Sequence, residues 1–204
     1  MRSEANKYLR DKVSISNLTK RYTGPYIFVV CIIISFGWVF DRPFLKSFGN
    51  PQHFVTMKPM TLYCFYLIGI AIMFNELKYD RIKSFSLMLV GIIILNAYIY
   101  FFFDFSLLPV IDNDSAVLSV KKNMPSVMTT IAFALSSIGL CFKRFTTTCY
   151  KTMGAICAPN LIGHIFSIPT LQYYWPDIST AMAISTCILF VHITMYLQVK
   201  HENP

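Results

Sequence analysis

Charge is what this chain has least of. Of its 204 residues, 14% are Asp, Glu, Lys or Arg, where a soluble globular domain carries about a quarter. That scarcity excludes an ordinary solvated surface around a single core. The Asp and Glu residues number 10, and none lies inside an apolar run. This argues against a proton- or sodium-coupled transporter built on a buried carboxylate. Also absent are a Walker loop, a Gly-rich dinucleotide turn, a nucleophile elbow and a His-Glu-x-x-His helix. We therefore expect no enzyme, no cofactor and no catalytic residue.

The cysteines number 6, and no Cys-x-x-Cys pair occurs among them. Cys31, Cys64, Cys141, Cys157 and Cys187 sit in apolar runs, and Cys149 in a short basic loop. Neither a disulfide framework nor a metal site is expected; the thiols read as small packing residues. No zinc-finger spacing or basic-aromatic platform appears, so the net charge of +8 does not point to nucleic acid.

What the chain has is apolar length. Hydrophobic residues make up 55%, Phe and Tyr number 18 and 12, and the mean hydropathy is +0.52. Six apolar runs stand out: Pro25–Phe40, Met60–Asn75, Phe85–Phe103, Val127–Phe142, Met153–Leu171 and Thr180–Gln198. A bilayer crossing takes about 17–25 residues. Inside lipid each segment must satisfy its own backbone, so the runs predict helices. Phe36–Phe40 offers no small-residue cleavage site, so the first run reads as an uncleaved span rather than a signal peptide.

The basic residues set the topology. Arg2, Lys7, Arg10, Lys12, Lys20 and Arg21 precede the first run. Lys78, Arg81 and Lys83 lie between the second and third, and Lys143, Arg144 and Lys151 between the fourth and fifth. Lys200 follows the sixth. The other side holds Arg42, Lys46, Lys58, Lys121 and Lys122. The positive-inside rule then places both termini in the cytoplasm. Trp38 and Trp175 fall near the opposite interface. The expected fold is all-α: a polytopic bundle of six transmembrane helices, arranged as three outward-pointing hairpins. Residues 1–23 form a basic cytoplasmic segment, 24–199 the membrane domain and 200–204 a cytoplasmic tail.

The even runs share a signature. Thr61 and Phe65, Thr129 and Phe133, and Thr186 and Phe190 each form Thr-x-x-x-Phe near the outer end of an even span. Residues four apart share a helix face. Met57 and Met182 each stand four residues before the Thr. The repetition suggests one helical hairpin used three times.

With Met57, Pro59, Thr61, Phe65, Leu67 and Gly69, then Met182, Ala183, Thr186 and Phe190, the chain resembles a known family. This is the six-span membrane domain at the N-terminus of many bacterial sensor histidine kinases and diguanylate cyclases. The approach from Gly163 to Tyr174 is also similar, and the resemblance covers roughly Tyr22 to Val199. Met60 and Ser185 replace the Asn and His that the family carries before its Thr, and no output domain follows the sixth span. The resemblance implies a sensory module in a bacterial inner membrane, relaying an envelope or membrane signal to a separate cytosolic protein. By size and layout alone the chain is also similar to the membrane subunit of the Kiwa antiphage defence system, which implies an accessory role in antiviral defence.

Candidate site residues follow from polarity at membrane depth. His164 and His192 lie in the fifth and sixth runs, Asn96 in the third and Asn160 in the fifth; such groups are costly there and bond across helices. Pro159, Gly163 and Pro169 predict a kinked or broken fifth helix, and broken helices line binding cavities. This supports the alternative reading, a channel, carrier or membrane-disrupting effector. Ala132, Ser136 and Gly139 allow close helix approach, within the chain or in a homo-oligomer. Arg2, Lys7, Arg10, Lys12, Lys20 and Arg21 are expected to contact anionic lipid or a cytosolic partner. Asp41, Arg42, Asp104, Asp112 and Asp114 read as solvated loop charges, and Asn113-Asp-Ser115 as a glycosylation acceptor in a eukaryotic setting only.

Overall fold

The computed structural model describes residues 2–47, 56–103, 105, 125–168, 171 and 182–202, with residues 2–14 and 47 described by backbone alone. Among the described residues the regular structure is all helical. Helix α1 runs Arg2–Val39, the short α2 Pro43–Ser47, α3 Pro59–Glu76 and α4 Asp80–Phe103. They are followed by α5 (Val127–Cys141), a 3-10 turn (Lys143–Phe145), α6 (Thr146–Ile165) and α7 (Ile184–Glu202). Trp175, Lys121, Lys122, Asp104, Asp112, Asn113, Asp114, Ser115 and Pro169 lie outside the described residues.

Three helical stretches are long and apolar enough to cross a membrane: Ile15–Val39, Pro59–Glu76 and Asp80–Phe103. The chain is a multi-pass membrane protein. Val127–Cys141 is apolar but shorter. The outward faces agree with this. Helix α4 presents Phe85, Met88, Ile92, Leu95, Phe102 and Phe103, and α1 presents Tyr26, Val29, Ile32, Ile33 and Phe36. So large an exposed apolar surface is stable against lipid and not against water.

The helices start and stop where local chemistry dictates. Pro59 opens α3 at a position where its missing N–H costs nothing, after an extended Lys58. Ser126 caps α5, its hydroxyl accepting the Thr129 N–H at 3.2 Å. Helices α1, α3 and α6 are each followed by a left-handed residue: Asp41 (φ 48), Lys78 (φ 60) and Ser167 (φ 54). At the last of these the Ile168 N–H reaches back to the Gly163 carbonyl at 2.8 Å, closing the end of α6.

The packing forms a closed ring with a centre. Helix α3 packs on α1 and α4, α5 on α4 and α6, and α7 on α6 and α1. Helices α3 and α7 also pack on α5, so α3, α5 and α7 form the inner layer. Burial follows: α3 buries much of its length, including Met60, Leu62, Cys64, Phe65, Ile68 and Ile72, while leaving Tyr63 exposed, and α4 buries only Ser86, Leu87, Val90, Asn96 and Ala97. A Cβ on Gly24 of α1 would lie 3.2 Å from the Gly69 carbonyl oxygen of α3. That spacing needs a residue without a side chain. Gly139 of α5 faces Leu197 and Cys149, where a Cβ would meet the Leu197 Cδ1 at 3.0 Å. Ala132, Ser136 and Gly139 thus all face inward.

Helix α1 continues through Pro25 from the basic segment into the first apolar run, and three sequence expectations need correction. Proline removes one backbone bond but fits a helix whose neighbours hold it. Helix α6 likewise passes Pro159 unbroken and ends only at Ile165. It begins at Thr146, well before Met153, where the Thr146 hydroxyl shares its one proton between the carbonyls of Gly139 (3.1 Å) and Phe142 (3.3 Å) and pins the turn. Cys149 therefore lies in α6 and is buried, not in a loop. Lys46, read as an outer loop charge, is buried, its ammonium 2.6 Å from the Asp41 carboxylate and 4.4 Å from the centre of the Trp38 ring.

Candidate functional site

The Thr-x-x-x-Phe residues converge. Phe65, Phe133 and Phe190 are fully buried, and their ring centroids form a near-equilateral triangle with sides of 4.7, 4.9 and 4.8 Å. Interplanar angles of 54–64° put ring edges against ring faces, the arrangement the aromatic quadrupole favours. Thr61, Thr129 and Thr186, one turn earlier, are buried as well. The Thr129 hydroxyl shares a 2.8 Å hydrogen bond with that of Ser126. The phenyl triad fills the axis of the bundle where α3, α5 and α7 meet.

A second equivalence links two hairpins. The Trp38 Nε1–H of α1 donates to the Met57 carbonyl at 3.0 Å. His164 Nε2 of α6 lies 2.6 Å from the Met182 carbonyl. A carbonyl only accepts, so that nitrogen carries the proton. Met57 and Met182 occupy the same place, four residues before Thr61 and Thr186, and both side chains are buried. In both of these hairpins the earlier helix thus holds the entry to the later one through a ring N–H.

Beside His164, on the same face of α6, Asn160 is buried, with no hydrogen-bond partner for either side-chain amide atom among the described residues. The Ser185 hydroxyl is in the same condition. Each such group costs about 1–3 kcal/mol when left unsatisfied. His192 sits elsewhere: its Nδ1–H donates to the Ile188 carbonyl at 2.9 Å, and its ring stacks on Tyr26 at 4.3 Å. It borders a groove of about 340 Å³ between α1 and α7, with Tyr22, Thr23 and Met195. Asn96 is buried in α4. The four polar candidates therefore do not form one site; Asn160 and His164 lie together, and His192 and Asn96 apart.

At the opposite end of the bundle, helices α3, α5 and α7 finish in a polar network. The Tyr196 hydroxyl, fully buried, donates to the Glu76 carboxylate and accepts from the Asn75 amide at 2.8 Å. Lys200 donates to the Asn75 side-chain oxygen at 3.2 Å and to the Leu140 carbonyl at 3.3 Å. Lys83 reaches the same Asn75 oxygen at 3.4 Å and pairs with Asp80 at 2.6 Å. Lys200 thus supplies a cation to the carbonyl end of α5, where the helix dipole is negative. Burial, and then the nearby Lys83, hold the Lys200 ammonium below the usual lysine pKa range.

Sequence reasoning missed this network. Lys83 and Lys200 were legible only as topology signals, and Asn75, Glu76 and Tyr196 carried no motif; the Asn-Glu pair closing an apolar run was the one available hint. Among the basic candidates, Lys20 and Arg21 border clefts at this same end. Arg2, Lys7, Arg10 and Lys12 lie in the first turns of α1, where backbone alone is described. Among the described residues no group of three or more His, Cys, Asp or Glu could hold a metal ion. No protein-family model matches the chain, and no curated protein or solved structure matches it either.

Proposed function

We propose that this chain is a non-enzymatic, six-span sensory subunit of a bacterial inner membrane, with both termini in the cytoplasm. It relays an envelope or membrane signal to a separate cytosolic protein, as an accessory of antiviral defence. Helices α5, α6 and α7, of 15, 20 and 19 residues, complete the three hairpins with help from their flanks.

The continuity of α1 carries this reading. Its 38 residues extend about 57 Å at the helical rise, while a hydrocarbon core takes about 30 Å. The basic turns before Ile15 then project beyond the membrane on the same rigid rod as the first span. A shift of that span is passed along the same helix to the segment that carries Arg2, Lys7, Arg10 and Lys12. The phenyl triad across the axis supports a sensor over a central pore, because it leaves no polar path there.

The test is purification from detergent-solubilised membranes with Arg10→Glu and Lys12→Glu alongside the unaltered chain. A soluble partner that copurifies reproducibly and is lost in the double variant supports the relay; no reproducible soluble partner removes it. For the defence role, plating efficiency over a broad phage panel should change when the gene and its neighbours are deleted, and no change across the panel sinks that role.

The unsatisfied Asn160 and Ser185 favour one competing reading, a carrier or channel with a site beside α6. Liposome flux that falls when His164 is replaced by Leu would support it over the relay.

A further inference from the structure

The groove between α1 and α7 offers mostly lone pairs to an occupant. Its volume is about 340 Å³, at the small end of the range for single-ligand sites, about 300–1,000 Å³. Leu18, Tyr22 and Tyr26, four residues apart on one face, form its α1 wall, and His192 and Met195 its α7 wall. Leu18, Tyr22 and Met195 are about half exposed, so the groove is open along its side to the surroundings of the bundle. The His192 Nδ1–H donates to the Ile188 carbonyl, so in the neutral ring Nε2 presents a lone pair. Among the described residues no donor reaches that Nε2. The Thr19 and Thr23 hydroxyls donate to the Ile15 and Thr19 carbonyls of their own helix, at 3.0 and 2.7 Å, and keep only lone pairs for the groove. The tyrosine hydroxyls can serve in either role. An occupant that meets His192 must therefore bring a donor.

The order of groups along α1 adds a second constraint. Arg21 precedes the apolar run that starts at Pro25. Its guanidinium lies over a wall of the groove, 5.8 Å from the centre of the Tyr22 ring, and it makes no ion pair among the described residues. Tyr26, on which His192 stacks, lies about 7.5 Å further along the helix axis. Beyond it the exposed Val29 and Ile33 continue the apolar stripe. From the basic end inward the order is cation, lone pair, apolar stripe. A phospholipid with one acyl chain has the complementary order: phosphate, free glycerol hydroxyl, tail. A diacyl phospholipid has only ester oxygens on the tail side of its phosphate, and those accept. Phosphatidylglycerol carries its hydroxyls on the water side.

We propose that this groove binds a monoacyl phospholipid. The phosphate meets Arg21, the glycerol hydroxyl donates to His192 Nε2, and the chain lies against Tyr26, Val29 and Ile33. Such a lipid forms when water cleaves one ester of a diacyl phospholipid and releases a fatty acid, so a phospholipid ester hydrolysis must supply it. The site stands independently of the relay reading, because binding needs no partner.

The experiment is native mass spectrometry of the full chain released from phosphatidylcholine nanodiscs. The discs contain either lysophosphatidylcholine or its 2-O-methyl ether, which has the same charge and chain but no hydroxyl proton. Lysophosphatidylcholine should be retained about fivefold better than the ether, as expected for one hydrogen bond. His192→Phe keeps a ring against Tyr26 and should remove that preference. Arg21→Gln should lower the retention of both lipids and leave the preference in place. Equal retention of the two lipids by the unaltered chain overturns the proposal, as does a preference that survives His192→Phe.

Discussion

Toward one end of the bundle, α3, α5 and α7 meet through three phenyl rings. At the other, the same helices finish in Asn75, Leu140, Tyr196 and Lys200, joined by hydrogen bonds. The difference follows from helix polarity. The last carbonyls of a helix lack intrahelical partners, and Lys200 takes the Leu140 carbonyl of α5 while side chains at the ends of α3 and α7 bond one another. One turn into the N-terminal half the backbone is already satisfied, and dispersion alone can fill the axis. One junction is therefore sensitive to volume, the other to loss of a donor or a charge.

The largest effect should come from volume. Phe133→Ala opens a cavity touched by all three inner helices and should destabilise the protein by about 3 kcal/mol. The readout is the midpoint of thermal unfolding in detergent. Phe133→Leu should lose less than half of that, and an equal loss would mean that the ring contacts matter more than the space they fill.

Next comes Tyr196→Phe, which keeps the ring and removes the hydroxyl shared by Glu76 and Asn75. The expected cost is about 1–3 kcal/mol, as for a hydrogen bond to a charged group. If it matches Phe133→Ala, the contrast between the two junctions fails. Trp38→Phe, which removes the donor to the Met57 carbonyl, should cost about 1 kcal/mol.

Lys58 gives a pH signature. It is buried at the start of α3, and burial pushes its ammonium down to about 8. The unfolded chain then binds more protons than the folded one between about pH 8 and the ordinary lysine value near 10.4. Stability should rise with pH across that window and be flat below it. Lys58→Met should abolish the rise. The smallest effect belongs to Asp80→Asn: the Asp80 side chain is 78% exposed, so solvent and salt screen its ion pair with Lys83, and the unfolding midpoint should scarcely move.

The sequence made some of this legible and hid the rest for physical reasons. Apolar runs announced helices because lipid permits little else, and Thr-x-x-x-Phe announced the inner face because the same spacing returned three times. Tyr196 was silent, since a tyrosine near a helix end is equally at home at a membrane interface or in a core. Its bond to Glu76 spans 120 residues of chain and depends on how hairpins dock. The buried lysines 46 and 58 look in sequence like ordinary loop cations. Pro159 looks like a break, but a helix gripped by neighbours tolerates a missing bond.

The phenyl triad also bears on assembly. Phe65 and Phe133 emerge well before Phe190, which sits in α7. A nascent chain lacking α7 would present two rings with one side open, inside a membrane that offers only acyl chains to cover them. Helix α7, by bringing in the third ring, then closes the axis that the other two leave open.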